Sequence, residues 1–266
     1  MINQNYEKLM KLKLPKMAEL YKEQSTNKAS LELSFDERLS ILIDGETDAK
    51  YNNLIYGIKK RSHIKMTNAS VSDIKFYPDR EIDKVLTMKL SACDYVNDHL
   101  NVIVVGATGS GKTYYISALG NEACKKAINV KYIRLPDLLY ELDQARNKDN
   151  YKKKLRALSR IELLIIDEFL LTPTTSEQQK DILELLELRY DTHSTIFASQ
   201  FLPEGWHQNL GGGALADAIL DRIIANSYLI HIKGNQSMRT REKKLKPAFK
   251  AGFTVVILIN TLSSLD

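Results

Sequence analysis

The residues Gly106-Ala107-Thr108-Gly109-Ser110-Gly111-Lys112-Thr113 carry the spacing G-x-x-x-x-G-K-[ST], directly after the apolar run Asn101-Val102-Ile103-Val104-Val105. A strand, a glycine-rich turn and a helix start in that order make an anion cradle. The glycines let successive backbone N–H groups turn inward, and the helix presents the positive end of its dipole. Lys112 is placed to reach β- and γ-phosphates as a point charge, and the Thr113 hydroxyl to ligate Mg²⁺, with Tyr114 next along the helix. A tight glycine turn joining a buried strand to a helix would use similar residues. All four fixed positions together with these flanks favour a nucleoside triphosphate site.

The run Leu163-Leu164-Ile165-Ile166 delivers Asp167 and Glu168 about 55 residues later. A buried parallel strand presents such residues at its C-terminal end, where open α/β sheets bind ligands. Asp167 is expected to hold the Mg²⁺ shell, and Glu168 to polarise an attacking water. An acidic pair placed this way argues for hydrolysis over transfer to a small-molecule acceptor. Thr195 to Ser199 reads as a further strand ending in Gln200, so Ser199 or Gln200 is expected to touch a terminal phosphate or orient water. Arg222 and Arg239 are candidate forks for phosphate charge; by pattern alone, each better suits a surface ion pair.

The elements that must position these residues alternate from Asn101 onward. Strands are expected at 102–105, 130–134, 163–168, 194–199 and 227–232, with helices between them. Continuous apolar strands separated by helices predict an α/β fold with a parallel sheet covered on both faces. Residues 1–80 read instead as a small helical domain for DNA or partner binding. Ser34-Phe35-Asp36-Glu37 there is a capping box opening a helix through Ile43, and a further helix is expected over 49–61. The stretch from Ser70 to Arg80 reads as a linker and 81–93 as another helix. Residues 81–245 form the nucleotide domain, and 246–266 an apolar tail.

With 44% hydrophobic and 27% charged residues, the composition is that of an ordinary globular protein. No apolar run is long enough to span a bilayer, and the polar start lacks a signal-peptide core, so a cytoplasmic protein without membrane contact is expected. Cys93 and Cys124 lack metal-type spacing and read as reduced thiols. The formal net charge is +5, and basic residues gather at Lys59-Lys60-Arg61, from Lys148 to Arg160 and from Arg239 to Lys250. Three such clusters beside a phosphate loop point to nucleic acid as a partner. Lys59, Lys60 and Arg61 are the expected DNA contacts.

Taken in order, the phosphate loop, the Leu163–Glu168 strand, Ser199-Gln200, Leu220-Asp221-Arg222 and the stretch from Gly234 to Arg239 resemble the IstB-type ATPases. These are transposition helpers of bacterial insertion sequences, in the AAA+ clade of the DnaC-like helicase loaders. Lys13-Leu14-Pro15-Lys16-Met17-Ala18 resembles the family's opening Leu-Pro-Gly-Met segment, and Leu33 to Leu39 its Leu-Ser-Phe-x-Glu-Arg-Leu helix. The resemblance implies an AAA+ P-loop fold using ATP and Mg²⁺, hydrolysis to ADP and phosphate, and ATP-dependent self-assembly into homo-oligomers on duplex DNA. It also implies stimulation of a cognate transposase; a helicase-loader adaptor is the alternative reading. Carried over by position, Lys112 and Thr113 bind phosphates and Mg²⁺, and Asp167 and Glu168 are the Walker B pair. Gln200 stands where the family has an asparagine sensor. Arg222 matches the arginine finger acting in trans, and Arg239 the second sensor. Phe169-Leu170-Leu171 replaces the family's Gly-Tyr, and Ser237-Met238 lacks its tyrosine before Arg239.

Overall fold

The computed structural model describes residues 2–234 and 236–245; the tail expected at 246–266 lies outside them. Five strands form one sheet: β1 (Asn101–Gly106), β2 (Val130–Arg134), β3 (Leu163–Asp167), β4 (Ser194–Ser199) and β5 (Ser227–Ile232). Their order is β2-β3-β4-β1-β5, and every pairing is parallel. Side chains alternate across the sheet. Val102, Val104, Ile165 and Ile196 meet Tyr115, Ile116 and Leu119 of the helix Lys112–Lys125 on one face. Ile103, Val105, Leu164, Ile166 and Phe197 meet the helices Leu135–Arg146, Tyr151–Ser159, Ser176–Arg189 and Gly213–Ile224 on the other. Burial from both sides is why the central strands read as unbroken apolar runs.

Ahead of the sheet come helices Ile2–Lys11, Pro15–Thr26, Lys28–Leu31 and Phe35–Ser62. The Ser34 capping box is formed: Ser34 Oγ accepts from the Glu37 N–H at 3.3 Å, and the Glu37 carboxylate from the Ser34 N–H at 2.8 Å. The two helices expected over this stretch are one, 28 residues long. It runs through Gly45 because Leu20 packs there; a Cβ on Gly45 would lie 2.3 Å from Leu20 Cδ1. The C-terminal half reaches the sheet, where the Tyr51 hydroxyl donates to the Lys125 carbonyl at 3.2 Å and Ile58 joins the core with Ile64, Ala69, Val71 and Ile74. Residues on both sides of position 80 therefore share one apolar core.

The helix expected over 81–93 is shorter, Lys84–Ser91, because Asp83 caps it by accepting from the Leu86 N–H at 2.9 Å. The short helices Asp94–Asn97, Pro203–Asn209 and Met238–Leu245 carried no sequence expectation. Trp206, on the second of these, is wholly buried against Phe169 and Phe197, with ring centroids 4.9 and 6.5 Å away.

Candidate functional site

The phosphate loop leaves the C-terminal end of β1 and closes into the helix starting at Lys112. Gly109 and Gly111 have φ of 80° and 95°, in the left-handed region. They are also crowded: a Cβ would meet Ser237 Oγ at 2.5 Å in the first case and Arg80 Nη2 at 2.8 Å in the second. Lys112 Nζ donates to the Gly106 carbonyl at 2.6 Å and the Ala107 carbonyl at 3.0 Å, across the mouth of the loop. Burial lowers its pKa from the ordinary lysine value, and the charge of Asp167 opposes that shift. Among the described residues Ser110 Oγ, buried inside the loop, has no hydrogen-bond partner. Tyr114 is turned to the linker, its hydroxyl accepting from the Ser70 N–H at 3.3 Å.

The loop and β3 meet at Asp167, which is 3% exposed. Its Oδ2 accepts from Thr113 Oγ1 at 3.0 Å and from the Tyr132 hydroxyl at 2.7 Å. Oδ1 accepts from the Glu168 N–H at 2.8 Å. Among the described residues Asp167 makes no direct ion pair, and a buried carboxylate so placed needs such donors. Among the described residues no three His, Cys, Asp or Glu side chains group to hold a metal. One hydroxyl and one carboxylate beside a phosphate cradle suit Mg²⁺, which takes few protein ligands and completes its shell with phosphate oxygens and water.

Glu168 turns the chain with φ of 55°, and the next residue, Phe169, is pinned through its N–H to the Ala198 carbonyl at 2.8 Å. The Glu168 carboxylate lies 3.5 Å from Arg134 Nη1 and lines a cavity of about 310 Å³ with Tyr140 and Thr172. Arg134 also holds Asp137 through Nε and Nη2 at 2.7 and 2.8 Å. Gln200 is brought to the loop, its Oε1 accepting from Thr108 Oγ1 at 2.9 Å. The Ser199 hydroxyl is fully used: it donates to the Phe169 carbonyl at 2.8 Å and accepts from Trp206 Nε1 at 3.1 Å and the Phe201 N–H at 3.2 Å. Of those two residues, Gln200 is therefore the one that faces the loop.

A second cavity, about 350 Å³, opens beside Gly109 and Gly111 between Ile74, Tyr77, Arg80, Tyr114, Met238 and Arg239. Its walls are tied to the loop. Arg80, 5% exposed, donates from Nη2 to the Ser110 carbonyl at 2.6 Å, and the Met238 N–H donates to the Gly109 carbonyl at 2.9 Å. Arg241 pairs with Asp79 and stacks 4.9 Å over Tyr77. A largely apolar slot continuous with an anion cradle has the shape needed for a nucleoside with its phosphates.

Arg222 is not brought to the loop. It pairs with Glu187 and donates to the Ala218 carbonyl at 2.8 Å, near Asn101 and Thr195 at the opposite ends of the strands. A strand length, about 16 Å, separates it from its own chain's loop. Lys59, Lys60 and Arg61 lie at the end of the long helix, with Lys60 and Arg61 exposed and Lys59 half-buried. Sequence reasoning missed Tyr132, Arg134 and Arg80. The first two follow from register: β2 lies beside β3 with Arg134 level with Asp167, so alternation brings Tyr132 and Arg134 toward its acidic end. Nothing local marks Arg80.

Residues 7–246 match the family described as IstB-like ATP binding protein. The insertion sequence ATP-binding protein y4pL of Sinorhizobium fredii is 33% identical over 90% of this chain and 97% of its own length. Among solved structures, AMPPCP-bound DnaA from Aquifex aeolicus aligns with a TM-score of 0.53 at 19% identity, over 67% of this chain and 55% of DnaA. The DnaC helicase loader aligns at 0.52 and 18%, over 62% of this chain and 97% of its own. These likenesses are of fold, that of the AAA+ P-loop proteins.

Proposed function

The chain belongs to the IstB-like ATP-binding proteins, and from that premise we propose that it hydrolyses ATP with Mg²⁺, assembles on duplex DNA and stimulates a cognate transposase. The observation that carries the hydrolytic part is the junction at Asp167, where the phosphate loop's Thr113 and the β3 acid share one hydrogen bond, with Glu168 next in the chain. The relatives' names, which speak of insertion sequences, support the transposition part.

In this reading Lys112 moves from the loop carbonyls onto terminal phosphates, and loop N–H groups hold the rest. Thr113 and Asp167 hold Mg²⁺, which supplies charge neutralisation at the phosphates when bound. Glu168 accepts a proton from water once Arg134 no longer neutralises it, and the Gln200 amide orients that water or the γ-phosphate. Arg239, in the cavity wall, is the second sensor. Arg222 serves the nucleotide of a neighbouring copy, since it stands a strand length from its own. Assembly would then place ATP between subunits and tie its hydrolysis to their release. Lys59, Lys60 and Arg61 are proposed to touch DNA phosphates. Among the described residues no helix is long and apolar enough to cross a membrane.

The test is anisotropy of a labelled duplex and a labelled single strand of equal length, with ATP and with ADP, beside phosphate release. ATP-dependent duplex binding with Mg²⁺-dependent release supports the reading. Preference for the single strand moves it to a helicase-loader adaptor. ATP binding without phosphate release overturns the hydrolytic part.

A further inference from the structure

Arg80 is a buried charge without a counter-ion. It ends the short turn Pro78–Arg80 and is 5% exposed. Among the described residues it makes no direct ion pair; the neighbouring acid in the chain, Asp79, pairs with Arg241 instead. The Arg80 guanidinium donates to main-chain carbonyls, from Nη1 to Lys75 at 2.8 Å and from Nη2 to Ser110 at 2.6 Å. Its Nε is buried with no partner among the described residues. Burial, and then the charge of Arg241, lowers its pKa from the ordinary arginine value. A charge placed this way works against folding, and one of its two bonds runs to the phosphate loop.

That bond has a consequence on the far side of the peptide. A trans peptide points its C=O and the following N–H in opposite directions. Drawing the Ser110 carbonyl toward Arg80 therefore turns the Gly111 N–H away from Arg80, into the concave side of the loop. Gly111, with φ of 95°, leads directly into Lys112, and its N–H donates to no acceptor among the described residues. The guanidinium lies close enough that a Cβ on Gly111 would come within 2.8 Å of Nη2. Arg80 is itself anchored from outside the loop. Its carbonyl accepts from the Lys233 N–H at 3.0 Å, just beyond β5, and its N–H donates to the Tyr77 carbonyl at 3.0 Å. The Lys233 ammonium in turn pairs with Glu81 at 2.7 Å.

We propose that Arg80 is a positioning residue of the nucleotide site, fixing the Ser110–Gly111 peptide so that its N–H meets the β-phosphate. The proposal rests on ATP binding at this loop and adds to it a residue from outside the loop. It makes the grip on phosphate depend on the segment 70–80, which leads from the long helix to the sheet. A movement that draws Arg80 off the Ser110 carbonyl frees that peptide to turn. The cradle then loses a donor while the nucleoside slot keeps its walls.

The test measures ADP and AMP affinities of the wild type, Arg80→Met and Arg80→Lys by isothermal titration calorimetry, with AMP titrated in competition with ADP. Each protein is held well below its own unfolding temperature. The loop backbone encloses the β-phosphate, which AMP lacks. Losing a donor to a charged group lowers affinity about tenfold or more. Arg80→Met is therefore expected to bind ADP at least about tenfold more weakly, with AMP little changed, so that the preference for ADP over AMP falls. Arg80→Lys, which keeps a donor for the Ser110 carbonyl, is expected to recover part of the loss. Arg80→Gln, neutral and shorter, takes the place of the Met variant if that one fails to fold. Equal losses for ADP and AMP would mean that Arg80 serves the nucleoside slot or the fold alone, and would overturn the positioning role. Unchanged ADP affinity would overturn it too and leave the ATP site intact. A wild type that binds neither nucleotide overturns the ATP site itself.

Discussion

Replacing Tyr132 by Phe removes one oxygen and little else, at the most tightly coordinated carboxylate of the site. Its hydroxyl is the shorter of two donors to Asp167 Oδ2, at 2.7 Å against 3.0 Å from Thr113. A hydrogen bond to a charged group contributes about 1.5–3 kcal/mol, and Asp167 keeps its other two donors, so a cost near about 1.5–2 kcal/mol is expected. For a chain of this size that is a fall of about 3–8 °C in Tm. The assay is thermal unfolding of both proteins, first without nucleotide and then with saturating Mg²⁺ and a non-hydrolysable ATP analogue. If Asp167 faces Mg²⁺ in the loaded site, the cation supplies positive charge where the phenol was, and the Tm gap narrows. An equal gap in both conditions would mean that Tyr132 serves packing alone and would refute the argument that it supports the Mg²⁺ carboxylate.

Other outcomes follow from the same geometry. Glu168→Gln should retain ATP affinity and lose hydrolysis at least about a hundredfold, whereas Lys112→Ala should lose ATP binding; a Gln variant with wild-type phosphate release would remove Glu168 from the base role. Arg189→Met, which strands the carbonyls of Leu158, Ser159 and Ile161, should cost about 3 kcal/mol or more in urea unfolding. Burial pushes the Tyr115 phenol up to about 12 from its ordinary value near 10, so the folded state favours its neutral form. That contribution is full below pH 10 and is lost as pH rises through the folded value of about 12. Stability measured from pH 8 upward should therefore fall above about pH 10, and less steeply in Tyr115→Phe.

The phosphate loop and the Asp167–Glu168 pair were legible because their chemistry lies within short stretches of chain: a turn, a helix start and a strand end. The strands were legible for a related reason, since burial on both faces leaves unbroken apolar runs. What could not be read is what depends on neighbours in the sheet. Tyr132 acquires its role only because β2 lies next to β3, and Arg80 only because a segment read as a linker folds back over the loop. The long helix reads as two in sequence because Leu20, which fills the space at Gly45, comes from another helix. Ser199 and Gln200 were indistinguishable in sequence. Only the positions of Phe169 and Trp206 show that the first is occupied by structural bonds.

Trp206 is the one tryptophan of the chain, and it is wholly buried one hydrogen bond behind Ser199, whose neighbour Gln200 touches the phosphate loop. The protein thus carries a single indole, coupled through Ser199 to the residue that meets the phosphate loop at Thr108. Excitation at the red edge of the protein absorption band reads this indole alone, without a label. Its emission maximum should lie well to the blue of free indole, and any shift on adding ATP but not ADP can be followed on the time scale of stopped flow. The kinetics of nucleotide binding can then be measured on unmodified protein.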